Sequence, residues 1–357
     1  MKRVLVLGAT GAMGKPLVEI LSKNPEIIVY ASSRKDHRDP IIHWLKGNGK
    51  NNEWLKRTLC DTQYDAIVDF MNYNTAEFQE RYQFILSHTS HYIFVSSARV
   101  YDKCDGIINE SSPRILDVCK DQEYLSNDTY ELAKAREEDI LNHSNYPNYT
   151  IIRPSLTYNY DRLQLTIFEK DEWLYRIFDG NSIIFPQEMK NVYTTMTYGG
   201  DVAHAVSKMI LNKNTYRETF NVCSKESRTW GEIYDTYRKA IEKHLDVKSK
   251  LACVNNVEKI AKDLNRYTQY ALARGINRRF SNYKLESTIG EYSWISIDNG
   301  LMNCIEDFFR CGANIHYPSP RMAAYLDRLV HEYTPLKRFD TTKQKLGYLL
   351  CRAGVNI

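Results

Sequence analysis

The sequence predicts an α/β protein: a doubly wound parallel sheet followed by a smaller C-terminal lobe. Three observations carry this. Through the first half, short continuous apolar runs alternate with helix-like segments, the pattern of strands covered on both faces by crossover helices. A glycine-rich turn, Gly8-Ala9-Thr10-Gly11-Ala12-Met13-Gly14, stands between the first apolar run and the first helix-like segment. Beyond Pro154 the alternation loosens into separate amphipathic segments.

Residues 2–7 read as a buried strand, and 15–23 as a helix with Leu17, Val18, Ile20 and Leu21 turned inward. A second strand is predicted over 27–31 and a third over 41–46, closed by Gly47-Asn48-Gly49. Strands at 66–71 and 91–96 follow, with helical segments starting at Glu53 and Thr75 between them. A long helix is predicted over 129–141, then a strand over 150–153 stopped by Pro154. Further on, 201–211 reads as an amphipathic helix and 218–222 as a short strand. Residues 229–243 read as a helix opened by Thr229, with Glu232 three residues on as its capping partner. No repeat, low-complexity tract or Gly/Ser linker separates the parts. The expected division is a first domain over 1–160, with 200–222 returning to it, and a smaller lobe over 161–199 and 223–310. A C-terminal extension over 311–357 carries Pro318, Pro320 and Pro335. Packed together, the two parts make the cleft between them the default ligand site.

Composition excludes several function classes. Hydrophobic residues at 43% in 357 residues are enough for a sizeable core, so wholesale disorder is excluded. The 48 Lys and Arg against 44 Asp and Glu leave a net charge of +4, too weak a bias to argue a nucleic-acid or membrane partner. The apolar run from Val4 stops at Gly8, and no other stretch approaches the length of a membrane span. Eight scattered cysteines without a Cys-x-x-Cys pair read as free thiols in a reducing cytoplasm. No metal site is expected, and His88 and His91 read as part of a solvated loop before a strand.

The chemistry begins at the glycine turn. A glycine there lets the backbone approach a pyrophosphate, and the following helix N-terminus offers free N–H groups and a positive dipole end. Which dinucleotide binds is decided at the end of the second strand, where a carboxylate would hold the ribose 2′-hydroxyl of NAD. Here Ser33, Arg34 and Lys35 stand instead, with no carboxylate before Asp36. A 2′-phosphate matches this set, so NADP is favoured, with NAD as the alternative. Farther along, Tyr130 and Lys134 share one helix face at i, i+4 spacing, and an ammonium near a phenol favours phenolate. Tyr130 is therefore a candidate general acid/base. Upstream, Ser96-Ser97-Ala98-Arg99-Val100-Tyr101 ends a strand with hydroxyls at the sheet edge where ligands bind.

The glycine loop, Ser97 to Tyr101, Tyr130-x-x-x-Lys134 and Ile152-Arg153-Pro154-Ser155 occur in the order and approximate spacing of the extended short-chain dehydrogenase/reductases. The chain resembles the NAD-dependent epimerase/dehydratase family among them, over about residues 2–310. Gly200-Asp201-Val202-Ala203, Thr219-Phe220-Asn221-Val222 and Phe280-Ser281-Asn282-Tyr283-Lys284-Leu285 add further matches. The resemblance implies a Rossmann-type dinucleotide domain and a substrate lobe. It implies Tyr130 as acid/base, Lys134 holding the nicotinamide ribose and the phenolate, and Ser97 orienting the substrate hydroxyl. Gly8, Thr10, Gly11, Ala12, Met13 and Gly14 would cradle the pyrophosphate, and Phe70 and Met71 would flank the cofactor. Asn48 would replace the usual acidic contact to adenine, and Pro154 and Ser155 would line the nicotinamide pocket.

Two departures shape the expected reaction. Related dehydratases carry an acidic pair after the hydroxyl residue, whereas this chain has Ala98 and Arg99, so elimination loses its acid and base. Arg99 becomes a candidate contact for a negatively charged substrate, against the plainer reading of an exposed guanidinium paired with Asp102 or a neighbouring carboxylate. Asn72-Tyr73-Asn74 replaces small residues and is expected to narrow or reshape the substrate mouth. The resemblance thus implies an NAD(P)-dependent epimerase of a nucleotide-linked sugar, with an NADPH-dependent reductase as the alternative and room for a homodimer. A non-catalytic dinucleotide- or RNA-binding protein on the same fold is the third reading. The intact Ser97, Tyr130 and Lys134 and the weak charge bias weigh against RNA.

Overall fold

The computed structural model describes residues 1–245, 248–311 and 316–355. Seven strands form the main sheet: β1 (Lys2–Leu7), β2 (Ile27–Ser33), β3 (His43–Lys46), β4 (Tyr64–Asp69), β5 (Thr89–Val95), β6 (Tyr149–Pro154) and β7 (Glu218–Val222). They lie in the order β7-β6-β5-β4-β1-β2-β3, and every neighbouring pair is parallel. The chain runs outward from β1 to β3 on one side, then returns to place β4 on the other flank of β1. That reversal makes the carboxyl end of β1 the switch point of the sheet, where open α/β sheets bind ligands.

Strand residues alternate between two cores, as the two-residue period of a strand requires. On one face Val4, Val6, Val29, Ala66, Val68 and Ile93 pack with Leu17, Val18 and Leu21 of α1 (Gly14–Ser22). On the other, Leu5, Leu7, Ile67, Tyr92 and Phe94 meet Leu55 and Leu59 of α2 (Asn52–Asp61). Phe78 of α3 (Thr75–Gln79), Ile85 of α4 (Tyr82–Ser87) and Leu141 of α5 (Tyr130–Asn142) complete this second core. Val202, Val206 and Met209 of α6 (Gly199–Met209) join the first. Helices on both faces of a parallel sheet are the doubly wound α/β fold that the alternation predicts.

Strand ends differ from expectation where a side chain turns the backbone. β3 starts at His43 rather than 41 because the Asp39 carboxylate accepts the N–H groups of Ile41 and Ile42, at 2.8 and 3.0 Å. β4 stops at Asp69 rather than 71 because the Asp69 carboxylate accepts the Met71 N–H at 2.9 Å. β2 continues through Ser33, which pairs with Lys46 of β3.

The chain divides into two compact units. The first is Met1–Thr157, Thr195–Glu226 and Arg279–Ile295; the second is Tyr158–Thr194, Ser227–Arg278 and Ser296–Ile357. Residues 279–295, grouped with the smaller lobe on sequence, lie in the first unit. Arg279 and Phe280 pair in parallel with Ile107 and Ile108, and the Tyr292 hydroxyl donates to Asp201 at 2.9 Å. In the second unit, the described part of the C-terminal stretch is anchored by charge. Fully buried Arg176 of Lys170–Phe178 pairs with fully buried Asp327 of Pro320–Val330 at 2.7 Å, and with Glu332 at 2.8 Å. The predicted capping pair at Thr229 forms there, each backbone N–H bonding the other residue's side chain. All eight cysteines are free thiols, and among the described residues no helix is long and apolar enough to cross a membrane.

Candidate functional site

The glycine turn leaves β1 through Gly8, whose φ of +74° lies in the left-handed region that favours glycine. A Cβ on Gly14 would fall 2.4 Å from the Gly8 carbonyl oxygen and 2.9 Å from Ala9 Cα. Only glycine lets α1 start this close to the strand. Gly11 N–H bonds the Gly8 carbonyl at 3.1 Å, and Thr10 and Gly11 are exposed while Ala12 and Met13 are half-buried. α1 begins with no side-chain cap and no acidic residue in its first turn. Its N-terminal N–H groups and dipole end thus face the turn without a protein anion, which suits a pyrophosphate. Phe70 and Met71 border the same turn, the Phe70 Cβ 3.2 Å and the Met71 sulfur 3.5 Å from where a Gly8 Cβ would stand.

At the end of β2, buried Ser33 places its hydroxyl 2.8 Å from His37 Nε2 and accepts the Lys35 N–H at 3.1 Å. Arg34 and Lys35 are exposed, and the nearest following carboxylate, Asp36, is paired with Lys46 at 2.6 Å. Asn48, after β3, is exposed, and its side chain accepts the Lys50 N–H at 3.1 Å. His37 also lines an open depression of about 610 Å³ beside β3, with Tyr30, Asp39, His43 and Trp44.

After β5 the two serines part. The Ser96 hydroxyl donates to Glu138 Oε1 of α5 at 2.6 Å. Ser97 instead caps the short turn Ala98–Val100, its oxygen accepting the Arg99 N–H at 3.2 Å. The Ser96 hydroxyl is therefore spent on a carboxylate of α5, and the Ser97 oxygen on its own turn. Tyr130 opens α5 half-buried, and Lys134 lies one turn on with a side chain only 2% exposed. The Lys134 ammonium donates to Glu137 Oε2 at 2.9 Å and sits 4.7 Å from the Phe94 ring centre. Burial pushes the Glu137 carboxyl up to about 7, with Lys134 pulling the other way. Asp69, also fully buried, accepts the hydroxyls of Tyr92 at 2.9 Å and Tyr73 at 3.1 Å, and burial pushes its carboxyl upward. β6 ends at Pro154, and Ser155 shares a 2.7 Å hydrogen bond with Thr197.

The residues expected at the cofactor therefore follow successive parallel strands: the glycine turn after β1, Ser33 to Lys35 at β2, Asn48 after β3, and Phe70 and Met71 after β4. Ser97 follows β5, and Pro154 and Ser155 stand at the end of β6. Parallel pairing brings these carboxyl ends to one edge of the sheet. Among the described residues no group of three or more His, Cys, Asp or Glu is arranged to hold a metal ion.

One expectation changes, and Arg99 is found paired with a neighbouring carboxylate, the plainer of its two readings. Tyr73 does not narrow a mouth: its side chain is buried, with the hydroxyl on Asp69 and the Arg81 guanidinium 4.1 Å from its ring centre, while Asn74 caps α3. Arg99 pairs with Glu131 at 2.7 Å, and its guanidinium lies 4.8 Å from the Tyr130 ring centre. Glu131 is fully buried and also accepts the Tyr124 hydroxyl at 2.7 Å. Sequence reasoning missed Asp69, Glu137 and Glu138. The last had a signal: Tyr130, Lys134 and Glu138 repeat at i, i+4 and share one face.

Comparison with known proteins follows the same lines. The model of the NAD dependent epimerase/dehydratase family matches residues 4–223. A search of curated proteins found no match. Among solved structures, UDP-glucuronic acid 4-epimerase from Bacillus cereus, in complex with UDP-glucuronic acid and NAD, is similar with a TM-score of 0.64 at 16% identity, over 86% of this chain and 99% of that one. dTDP-glucose 4,6-dehydratase from Bacillus anthracis, in complex with NAD, gives 0.66 at 16% identity, over 87% and 97%. The Bordetella bronchiseptica enzyme WbmH, in complex with NAD+, gives 0.67 at 14% identity, over 87% and 99%. With a switch-point glycine turn and a family match over most of its sheet, the chain belongs to the NAD-dependent epimerase/dehydratase family, enzymes of the extended short-chain dehydrogenase/reductase type.

Proposed function

We propose that this protein is an NAD(P)-dependent epimerase of a nucleotide-linked sugar, acting by transient oxidation of a ring hydroxyl. The observation that carries the reading is that one residue, Arg99, touches both hydroxyl residues: its N–H bonds the Ser97 oxygen at 3.2 Å and its guanidinium lies 4.8 Å from the Tyr130 ring centre. Arg99, two residues after Ser97, spans to α5 and lies over the Tyr130 ring. Arg99 thereby links Ser97 and Tyr130, while Glu131, next to Tyr130 in sequence, is spent on Arg99 and Tyr124. A site with hydroxyls and cations, and no acidic pair after Ser97, suits hydride transfer rather than loss of water.

The fit of a dinucleotide rests on the Gly8–Gly14 approach and the uncapped α1 terminus. A nicotinamide dinucleotide held there supplies hydride uptake and return. Gly8 and Thr10 to Gly14 would bind its pyrophosphate, and Phe70 and Met71 would cover the adenosine side. Ser33, Arg34 and Lys35 would take a 2′-phosphate, which favours NADP; Asn48 would meet the adenine. Pro154 and Ser155 would line the nicotinamide end. Ser97 orients the substrate hydroxyl, and Tyr130 removes its proton during oxidation and gives it back on reduction. Lys134 keeps positive charge beneath this exchange, and Arg99 over the ring adds to it. The weak net charge favours a small-molecule partner over nucleic acid. The free thiols suit a cytoplasmic setting, and a homodimer is the assembly to be tested.

The test is turnover of nucleotide sugars in deuterium oxide, with products read by NMR. Epimerisation by internal hydride return leaves the reacting carbon free of solvent deuterium, and Tyr130→Phe abolishes it while dinucleotide affinity stays within about twofold, since the phenol's loss removes no pyrophosphate contact. Solvent deuterium at that carbon, or a fully active Tyr130→Phe, defeats the proposal. Net consumption of NADPH with a carbonyl substrate would select the reductase reading, which the cationic turn at Ser33 to Lys35 favours.

A further inference from the structure

The Lys134 ammonium and Glu137 carboxylate form an ion pair that is 2% and 0% exposed, and Glu137 Oε1 has no hydrogen-bond partner. A buried ammonium is stabilised by a counter-charge, and a buried carboxylate with one bare oxygen is the form that burial penalises. Glu137 bonds Lys134 on its own helix, and Asp69 of β4, Tyr92 of β5 and Asp128 before α5 lie within its electrostatic reach. Tyr73 stands behind Asp69, and Asp128 is itself held by Thr75 and Arg136. One cation thus serves several acidic groups, and Glu137 is the member with an oxygen to spare.

We propose that Glu137 is a positioning residue acting through Lys134: ionised, it offsets the ammonium's charge through a direct hydrogen bond, and protonated, it leaves only the more distant Asp69 to do so, so the site's preference between oxidised and reduced dinucleotide follows pH. This rests on the placement of Lys134 at the cofactor. An oxidised nicotinamide ring is a cation and a reduced ring is neutral. A Lys134–Glu137 pair of zero net charge admits either ring, whereas an ammonium that has lost its bonded carboxylate repels the oxidised one. As pH falls, the oxidised form therefore loses affinity relative to the reduced form. Glu137→Gln fixes the pair in its low-pH state.

The experiment is fluorescence titration of the full chain with NADP+ and NADPH between pH 5.5 and 8.5, using the ratio of the two dissociation constants so that ionisation of the 2′-phosphate cancels. For the unmodified protein the ratio of NADP+ to NADPH constants rises on the order of tenfold from high to low pH, the size of one unit charge in a partly desolvated site. Glu137→Gln holds the low-pH ratio throughout, and Glu137→Asp, which keeps the charge, retains the step. A flat ratio in the unmodified protein overturns the proposal even if Glu137→Gln does not fold, and so does an unchanged step in a folded Glu137→Gln. Lys134→Met separates the two layers. If it leaves both affinities untouched, the placement of Lys134 at the cofactor fails; if it weakens both while Glu137→Gln changes nothing, only the role of Glu137 fails.

Discussion

Replacing Glu138 should unfold the first unit more than any exposed charge change could. Its carboxylate is fully buried and accepts the Ser96 hydroxyl at 2.6 Å, Arg153 Nε at 2.8 Å, Arg153 Nη2 at 2.6 Å and Arg114 Nη1 at 3.2 Å. These contacts tie α5 to the ends of β5 and β6, and so hold the helix carrying Tyr130 against the strands carrying Ser97 and Pro154. Arg114 keeps Asp117 and Asp139 when Glu138 is lost, but Arg153, only 6% exposed, keeps no carboxylate. Breaking such a pair from one side costs about 3–5 kcal/mol, against about 0–1 kcal/mol for an exposed pair. Glu138→Ala is expected in the higher range by equilibrium urea unfolding, followed by both fluorescence and circular dichroism to check that one transition is being measured. A loss below about 1 kcal/mol would refute the reasoning, because the carboxylate would then behave as a solvated one. The double change Glu138→Leu with Arg153→Met should lie closer to the unmodified protein than either single change, since no charge is stranded.

Arg34→Asp should invert cofactor preference, turning tighter NADPH binding into tighter NADH binding in paired titrations; equal constants in the unmodified protein would remove the argument from charge at this turn. Arg99→Ala should lower turnover markedly with dinucleotide affinity unchanged, and also lower stability by stranding buried Glu131. Unchanged kinetics on the true substrate would leave Arg99 a purely structural role. His91, fully buried between Thr150 and the Leu211 N–H, has its imidazole pushed down to about 4 by burial. The unfolded chain takes up that proton near pH 6.5, the folded one only near 4. Its contribution is therefore complete above pH 6.5 and falls by up to about 3 kcal/mol as pH drops to 4. Urea midpoints across that range check this, and His91→Phe should flatten that part of the profile.

The boundary of β1 was legible because its apolar run ends at the glycine turn. The glycine turn was legible because its demand is on the backbone itself, and Gly8 and Gly14 satisfy that demand within seven positions. The α5 charges were not. In Tyr130-Glu131-Leu132-Ala133-Lys134-Ala135-Arg136-Glu137-Glu138 the acidic residues look like a solvated face, yet Glu131, Glu137 and Glu138 are all fully buried. Two of their burial partners, Ser96 and Arg153, are distant in sequence, and nothing local signals that they converge. The same holds for Tyr73, where a large residue after β4 suggested an opening to be narrowed. A buried carboxylate four residues earlier claims its hydroxyl instead.

The central claim is that the turn between β1 and α1 holds a nicotinamide dinucleotide, and native mass spectrometry of the purified protein, with and without added NADPH, tests it most directly. The account predicts a dinucleotide adduct on the unmodified protein, retained from expression or formed on addition, and its loss in folded Gly14→Ala, whose new Cβ would meet the Gly8 carbonyl at 2.4 Å. No adduct on the unmodified protein at saturating NADPH or NADH, or an adduct of equal strength in Gly14→Ala, would contradict it.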